Sequence, residues 1–153
     1  MPPRLALAAA GLAAFAFMAP SVLFAQTAPA VDETPVVEIL MEVASEGAAC
    51  RPPQARLPAR SPIEIRLVNP SASAISFIAT KFFEGSNVEG ATGAVDEGAG
   101  YLVGPGVTAR IAVKSTPPEG AFPYTCAMER EGRTLEGVGG TLTIVPPATA
   151  PRG

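Results

Sequence analysis

The sequence predicts an all-β domain, a sandwich or barrel of about 6–8 short strands. Three observations predict it. The 153 residues include 15 Gly and 17 Pro but no Trp, a composition that favours frequent turns over long helices. The apolar residues fall in short branched or alternating runs, with little helical periodicity. Turn signals separate those runs: Asn69 with Pro70, Gly104 through Gly106, and Pro117 through Gly120.

The runs follow one another after an N-terminal segment of different character. Residues 1–4 carry one positive charge, Arg4, and residues 5–18 are uniformly apolar or small. Pro20 breaks that run, and Ala25 offers a small residue for cleavage. This pattern predicts a signal peptide over residues 1–25. An uncleaved anchor over residues 5–24 is the alternative, and it requires Pro20 to be tolerated in the span. After cleavage no second apolar segment is long enough to cross a membrane. Residues 26–35 read as a polar, Pro-containing linker, residues 36–146 as one domain, and residues 147–153 as a tail.

Within the domain, residues 36–43 are rich in branched side chains. Residues 63–68 place Ile63, Ile65 and Leu67 on one face and Glu64 and Arg66 on the other. Residues 75–79 make a third run, and residues 108–113 place Ala109, Ile111 and Val113 together. Residues 122–128 and 141–145 close the set. Phe82 and Phe83 are expected to plug the core, and residues 84–100 to form a long surface loop or a short irregular helix. Tyr101 and Tyr124 are expected in the core or at an edge, with their hydroxyls at the surface.

Composition excludes several functions. The formal charge is −3, and −4 once Arg4 is removed, without basic clusters. No nucleic-acid partner is expected from that distribution. The chain contains no histidine, so the usual general base near neutral pH is missing. Ser76 and Ser115 have no recognisable basic partner, and Glu129, Arg130 and Glu131 read as a solvated charge cluster. Gly132, Gly137, Gly139 and Gly140 surround a turn, which does not match a strand-to-helix phosphate loop. The chain is therefore not expected to be an enzyme.

Several landmarks occur in a telling order. Residues 62–69 end a strand on Asn69. Residues 75–83 are similar to a His-Asn-Phe-Ser-Ala-Pro-x-Phe-Phe pattern, and residues 103–106 lead by a Gly turn into residues 108–111. Residues 119–126 approach Cys126 through Gly120 and Tyr124, and residues 140–145 form a closing Gly-Thr-Leu strand. In this order the chain resembles the cupredoxins, the blue-copper fold, over residues 36–145. The resemblance implies a Greek-key sandwich and a metal site of two imidazoles, one thiolate and a weak axial thioether. It places the first histidine on Ile75, the second on Glu129, Arg130 or Glu131, and the axial methionine on Val138. Of the four ligands only Cys126 is present.

Two readings of Cys126 follow. In a small exported domain two cysteines pair, so Cys50 and Cys126 are disulfide candidates. Alternatively the soft donors Cys126, Met128, Cys50 and Met41 would bind Cu(I), since thiolates and thioethers select that ion. Core filling is the ordinary role of the two methionines. The expected function is a periplasmic or secreted, non-enzymatic, cupredoxin-like binding or accessory module of the cell envelope. No cofactor is expected, and its partner would be another envelope protein. Copper handling or electron transfer through Cu(I) is the alternative. An immunoglobulin-like sandwich is a third structural possibility, weakened by the lack of the buried Trp that usually accompanies its cysteine pair.

Overall fold

A computed structural model of the chain describes residues 33–148. The expected signal peptide over residues 1–25, most of the expected linker and the end of the expected tail lie outside the described residues. The domain is the expected β-sandwich, built from two mixed sheets. The first is ordered β2-β1-β4-β9-β6. It comprises β1 (Val36–Ala44), β2 (Gly47–Arg51), β4 (Ile63–Val68), β6 (Asn87–Thr92) and β9 (Thr108–Ser115). The second is ordered β3-β12-β10-β5-β8-β7, with β11 paired to β10. It comprises β3 (Gln54–Pro58), β5 (Ile75–Ile78), β7 (Ala94–Asp96), β8 (Gly100–Val103), β10 (Gly120–Arg130), β11 (Arg133–Glu136) and β12 (Gly140–Val145).

The alternating runs became the central strands for the reason that made them visible. On β4, Ile63, Ile65 and Leu67 are buried, and on the neighbouring β9 so are Ala109, Ile111 and Val113. Side chains alternate across a strand, so the intervening Glu64, Arg66, Arg110 and Ala112 fall on the outer face. Phe77, Tyr124, Cys126, Leu142 and Ile144 supply the facing layer from the second sheet. The five-residue helix α1 (Thr80–Glu84) drops Phe82 into the core. There Phe82 packs edge-on to Phe83 and Phe122, and Phe83 in turn meets Phe77 and Tyr101.

A buried asparagine fixes the entry to β5. Asn69 Nδ2 donates to the carbonyls of Ser73 at 2.8 Å, Gly104 at 3.0 Å and Val103 at 3.1 Å. Its Oδ1 accepts from the Ser71 amide and hydroxyl. A single side chain thus ties the β4–β5 loop to the β8–β9 turn.

Three expectations are corrected. The described residues form twelve strands, more than the six to eight expected. Residues 84–100 are not a loop or irregular helix: after α1 they form edge strands β6 and β7. Both are held by ladders to β9 and β8 but are mostly exposed, so they carry no hydrophobic period to read. The Tyr124 hydroxyl is not at the surface: the residue is buried and its hydroxyl donates to the Pro52 carbonyl.

Candidate functional site

Cys126 lies near the middle of β10, in register with Phe77 of β5. Cys50 lies on β2, in register with Met41 of β1. The two sulfurs are bonded, with Cα atoms 5.8 Å apart, within the range a bridge needs. Because β2 belongs to one sheet and β10 to the other, this bond clamps the sandwich across its core. Backbone hydrogen bonds support it. The Cys50 amide donates to the Val138 carbonyl at 2.8 Å, the Val138 amide to Ala48 at 2.9 Å and the Gly137 amide to the Cys126 carbonyl at 2.7 Å. That close lacing explains two glycines: a Cβ on Gly137 would stand 1.5 Å from the Ala48 oxygen, and one on Gly139 1.8 Å from the Tyr124 oxygen.

The other positions implied by the copper-protein resemblance do not converge on Cys126 with metal donors. Ile75 is fully buried and pairs with Val103. Glu129 is exposed and accepts a hydrogen bond from the Thr134 hydroxyl at 2.6 Å. Glu131 and Gly132 form the turn between β10 and β11, both at positive φ, which takes Glu131 away from the core. Val138 is 69% exposed. Met41 and Met128 do join Cys50 and Cys126 in one core cluster. The disulfide leaves neither sulfur as a thiolate, and the two thioethers pack against apolar side chains. Among the described residues no group of three or more His, Cys, Asp or Glu could hold a metal ion. This donor set does not fit a type 1 copper centre, which needs imidazole nitrogen and thiolate sulfur together.

A second feature lies on the outer face of the second sheet, where a groove of about 440 Å³ opens. Ser76, Ile78, Leu102 and Ala127 are among its lining residues, with Glu97, Glu129 and Thr134 also on its wall. Ser76 Oγ donates to Glu97 at 2.8 Å. Of the outward-facing lining only Ser76 and Glu129 stood out in the sequence, and neither as a groove residue; Met128, whose side chain belongs to the core, also borders the groove. The one available signal was the alternation on either side of Glu131 and Gly132, which sets Ala127 and Glu129 on the face away from Cys126 and Met128.

Two tyrosines have shifted acidity. Burial pushes the Tyr124 hydroxyl above its ordinary pKa. Burial first, and then the negative charge of Asp96, does the same to Tyr101. Both remain neutral and act as packing and hydrogen-bonding groups near neutral pH.

No protein-family model matches the chain, and no curated protein matches it. Solved structures similar to it include a reduced auracyanin from Roseiflexus castenholzii, at 18% identity and a TM-score of 0.45, covering 74% of this chain and 98% of that one. Auracyanin A, a "blue" copper protein from Chloroflexus aurantiacus, matches at 15% identity and a TM-score of 0.48, covering 74% of this chain and all of that one. The multicopper oxidase McoA from Aquifex aeolicus matches at 16% identity and a TM-score of 0.45, over 73% of this chain and 30% of the oxidase.

Proposed function

We propose that this chain is an exported, cupredoxin-like binding or accessory module of the cell envelope, without enzymatic activity, in which a disulfide occupies the place of a copper centre. One observation carries the reading: Cys126, the one ligand position that keeps its ligand residue, is bonded to Cys50 across the sandwich. Ile75 supports it, because a buried isoleucine offers no donor where an imidazole would sit. The disulfide and the apolar N-terminal run both suit an oxidising compartment, the periplasm or the exterior. The partner is another envelope protein, and no nucleic acid is involved.

The alternative is Cu(I) handling. It draws on the shared core location of Met41, Cys50, Cys126 and Met128 and requires a thiol reductant to open the disulfide first. Thiol counting in denaturant, followed by anaerobic titration with Cu(I) and Cu(II), tests both readings. The module reading expects no free thiol, no stoichiometric uptake of either ion and no intense visible band with Cu(II). Stoichiometric uptake by the oxidised chain overturns it, and uptake of Cu(I) after reduction alone supports the alternative.

A further inference from the structure

We infer that the groove on the outer face of the second sheet docks a basic segment of a partner polypeptide, with arginine or lysine stems lying on its floor and their charged heads on its carboxylates. The inference rests on the reading of the chain as a binding module and names the face that binds.

The strand registers place one residue from each of five strands in a row on this face: Glu136 of β11, Ala127 of β10, Ser76 of β5, Leu102 of β8 and Val95 of β7. At a strand spacing of about 4.8 Å the row is about 19 Å wide. Its floor is apolar. Ala127 is only 2% exposed yet lies outside the core cluster, so it is covered from the outer side by its neighbours. Leu102 and Ile78 are half-buried on the same side, and Val95, at 63% exposure, carries the apolar strip out to the sheet edge.

The charge bordering the groove has one sign. Glu97 and Glu129 both border the groove, steadied by the Ser76 and Thr134 hydroxyls, and Glu136 lies beside Ala127. Among the described residues no ion pair engages any of these three carboxylates. The arginines of the hairpin, Arg130 and Arg133, fall by register on its other face, with Met128 and Leu135. The outer face of the first sheet is different: there Arg66 pairs with Glu38 at 3.6 Å and Glu64 at 3.2 Å. The first sheet thus neutralises these carboxylates, and the groove on the second presents Glu97 and Glu129 beside an apolar floor.

A basic side chain complements both parts, because Arg and Lys lay an apolar stem along such a surface and hold the charged head at its rim. Arginine adds a forked match to each carboxylate. The groove is partly open to solvent, so side chains projecting from a peptide can enter it and reach its floor. Rim pairs of this kind contribute weakly, up to about fivefold in affinity each, and are screened by salt.

The test uses the full oxidised chain, labelled for amide NMR, and an Arg-Leu-Arg-Leu-Arg peptide. A Glu-Leu-Glu-Leu-Glu peptide and agmatine serve as controls. Expected are saturable shifts at Ser76, Leu102, Ala127 and Glu129 with the basic peptide, weakened by high salt. The E97Q/E129Q variant, in which the amides can still accept the Ser76 and Thr134 hydroxyls, should weaken binding by roughly tenfold. The E64Q variant, on the opposite sheet, should not. Shifts centred elsewhere, indifference to E97Q/E129Q, or no binding at millimolar peptide overturn the inference. Agmatine binding as tightly as the peptide overturns it too, since the site would then belong to a small amine. Copper uptake with shifts around Cys126 and Met41 defeats the module reading instead. A chain that binds neither copper nor peptide defeats the groove assignment alone.

Discussion

Opening the Cys50–Cys126 bond is the most informative perturbation, because the magnitude follows from the chain itself. The bridge closes a loop with a sequence separation of 76. In the chain-entropy model, constraining a loop of that length removes about 15 cal/mol/K from the unfolded ensemble, or about 4.5 kcal/mol at 25 °C. Native bridges typically deliver 2–4 kcal/mol, so the figure is a ceiling. Against a total stability of about 5–15 kcal/mol for a domain of ordinary size, a loss of about 2–4 kcal/mol is between roughly a seventh and four-fifths of the whole. The cleanest comparison is oxidised against reduced protein of the same sequence, since C50A and C126A would also empty buried volume. The protein is reduced in denaturant, where the bond is accessible, and diluted back under reductant. Urea unfolding is then followed in both forms. With a slope of about 2 kcal/mol/M, the midpoint should fall by roughly 1–2 M. A fall of less than about 0.3 M would refute the reasoning, because a bond clamping the two sheets across the core would then contribute almost nothing.

Other perturbations separate backbone geometry, buried hydrogen bonding and ionisation. G137A should destabilise by more than about 2 kcal/mol, because its Cβ would stand 1.5 Å from the Ala48 oxygen; G90A, with nothing within 4 Å, should stay within about 0.5 kcal/mol in the same urea assay. N69A should cost about 2–4 kcal/mol, since it strips partners from the Ser73, Val103 and Gly104 carbonyls and from the Ser71 amide. Y124F removes the hydrogen bond to the Pro52 carbonyl and should cost about 1 kcal/mol, with little change in the near-ultraviolet spectrum of the remaining aromatics. The raised pKa values of Tyr124 and Tyr101 mean that the folded chain holds the neutral phenols more tightly than the unfolded one. That stability is complete below pH about 10 and is lost as the pH climbs through the folded values, so absorbance at 295 nm should show delayed ionisation in the folded protein and a common ordinary one in denaturant.

The central strands were legible because each is buried on one side only. Ile63, Ile65 and Leu67 against Glu64 and Arg66 write the inner and outer faces directly into the sequence. β6 and β7 were not legible for the opposite reason. Val88 is half-buried, but most of their side chains see solvent, and their conformation comes from pairing with β9 and β8. The β10–β11 hairpin turns on Glu131 and Gly132, a pair that lacks the Asn or Asp usually favoured before Gly in such a turn, so its signal was faint. The cysteine pairing followed from a count of two and the expectation of an oxidising compartment. The inward Tyr124 hydroxyl could not follow, since its acceptor at Pro52 is 72 residues away. The groove is equally non-local: Ser76 and Glu97 meet across 21 residues, and their row closes only when β10 lies beside β5.

The disulfide and the absence of imidazole donors are linked physically. A metal that binds the folded chain contributes its binding energy to folding, by holding together side chains that would otherwise separate. A covalent bridge does comparable work by restricting the unfolded chain, without imidazoles. Cys126 can serve either end, but not both, since a sulfur bonded to Cys50 is no longer a thiolate. Once it is bridged, a histidine in place of Ile75 would be a buried polar group without a partner, and buried isoleucine is the stabler occupant. Val138 differs: its backbone makes the contacts, its carbonyl accepting from Cys50 and its amide donating to Ala48, while its side chain stays in solvent, where a donor would cost little. A histidine at Ile75 while the bridge remains should therefore lower stability without creating a copper site; removing Cys50 at the same time is the change that would leave Cys126 as a free thiol.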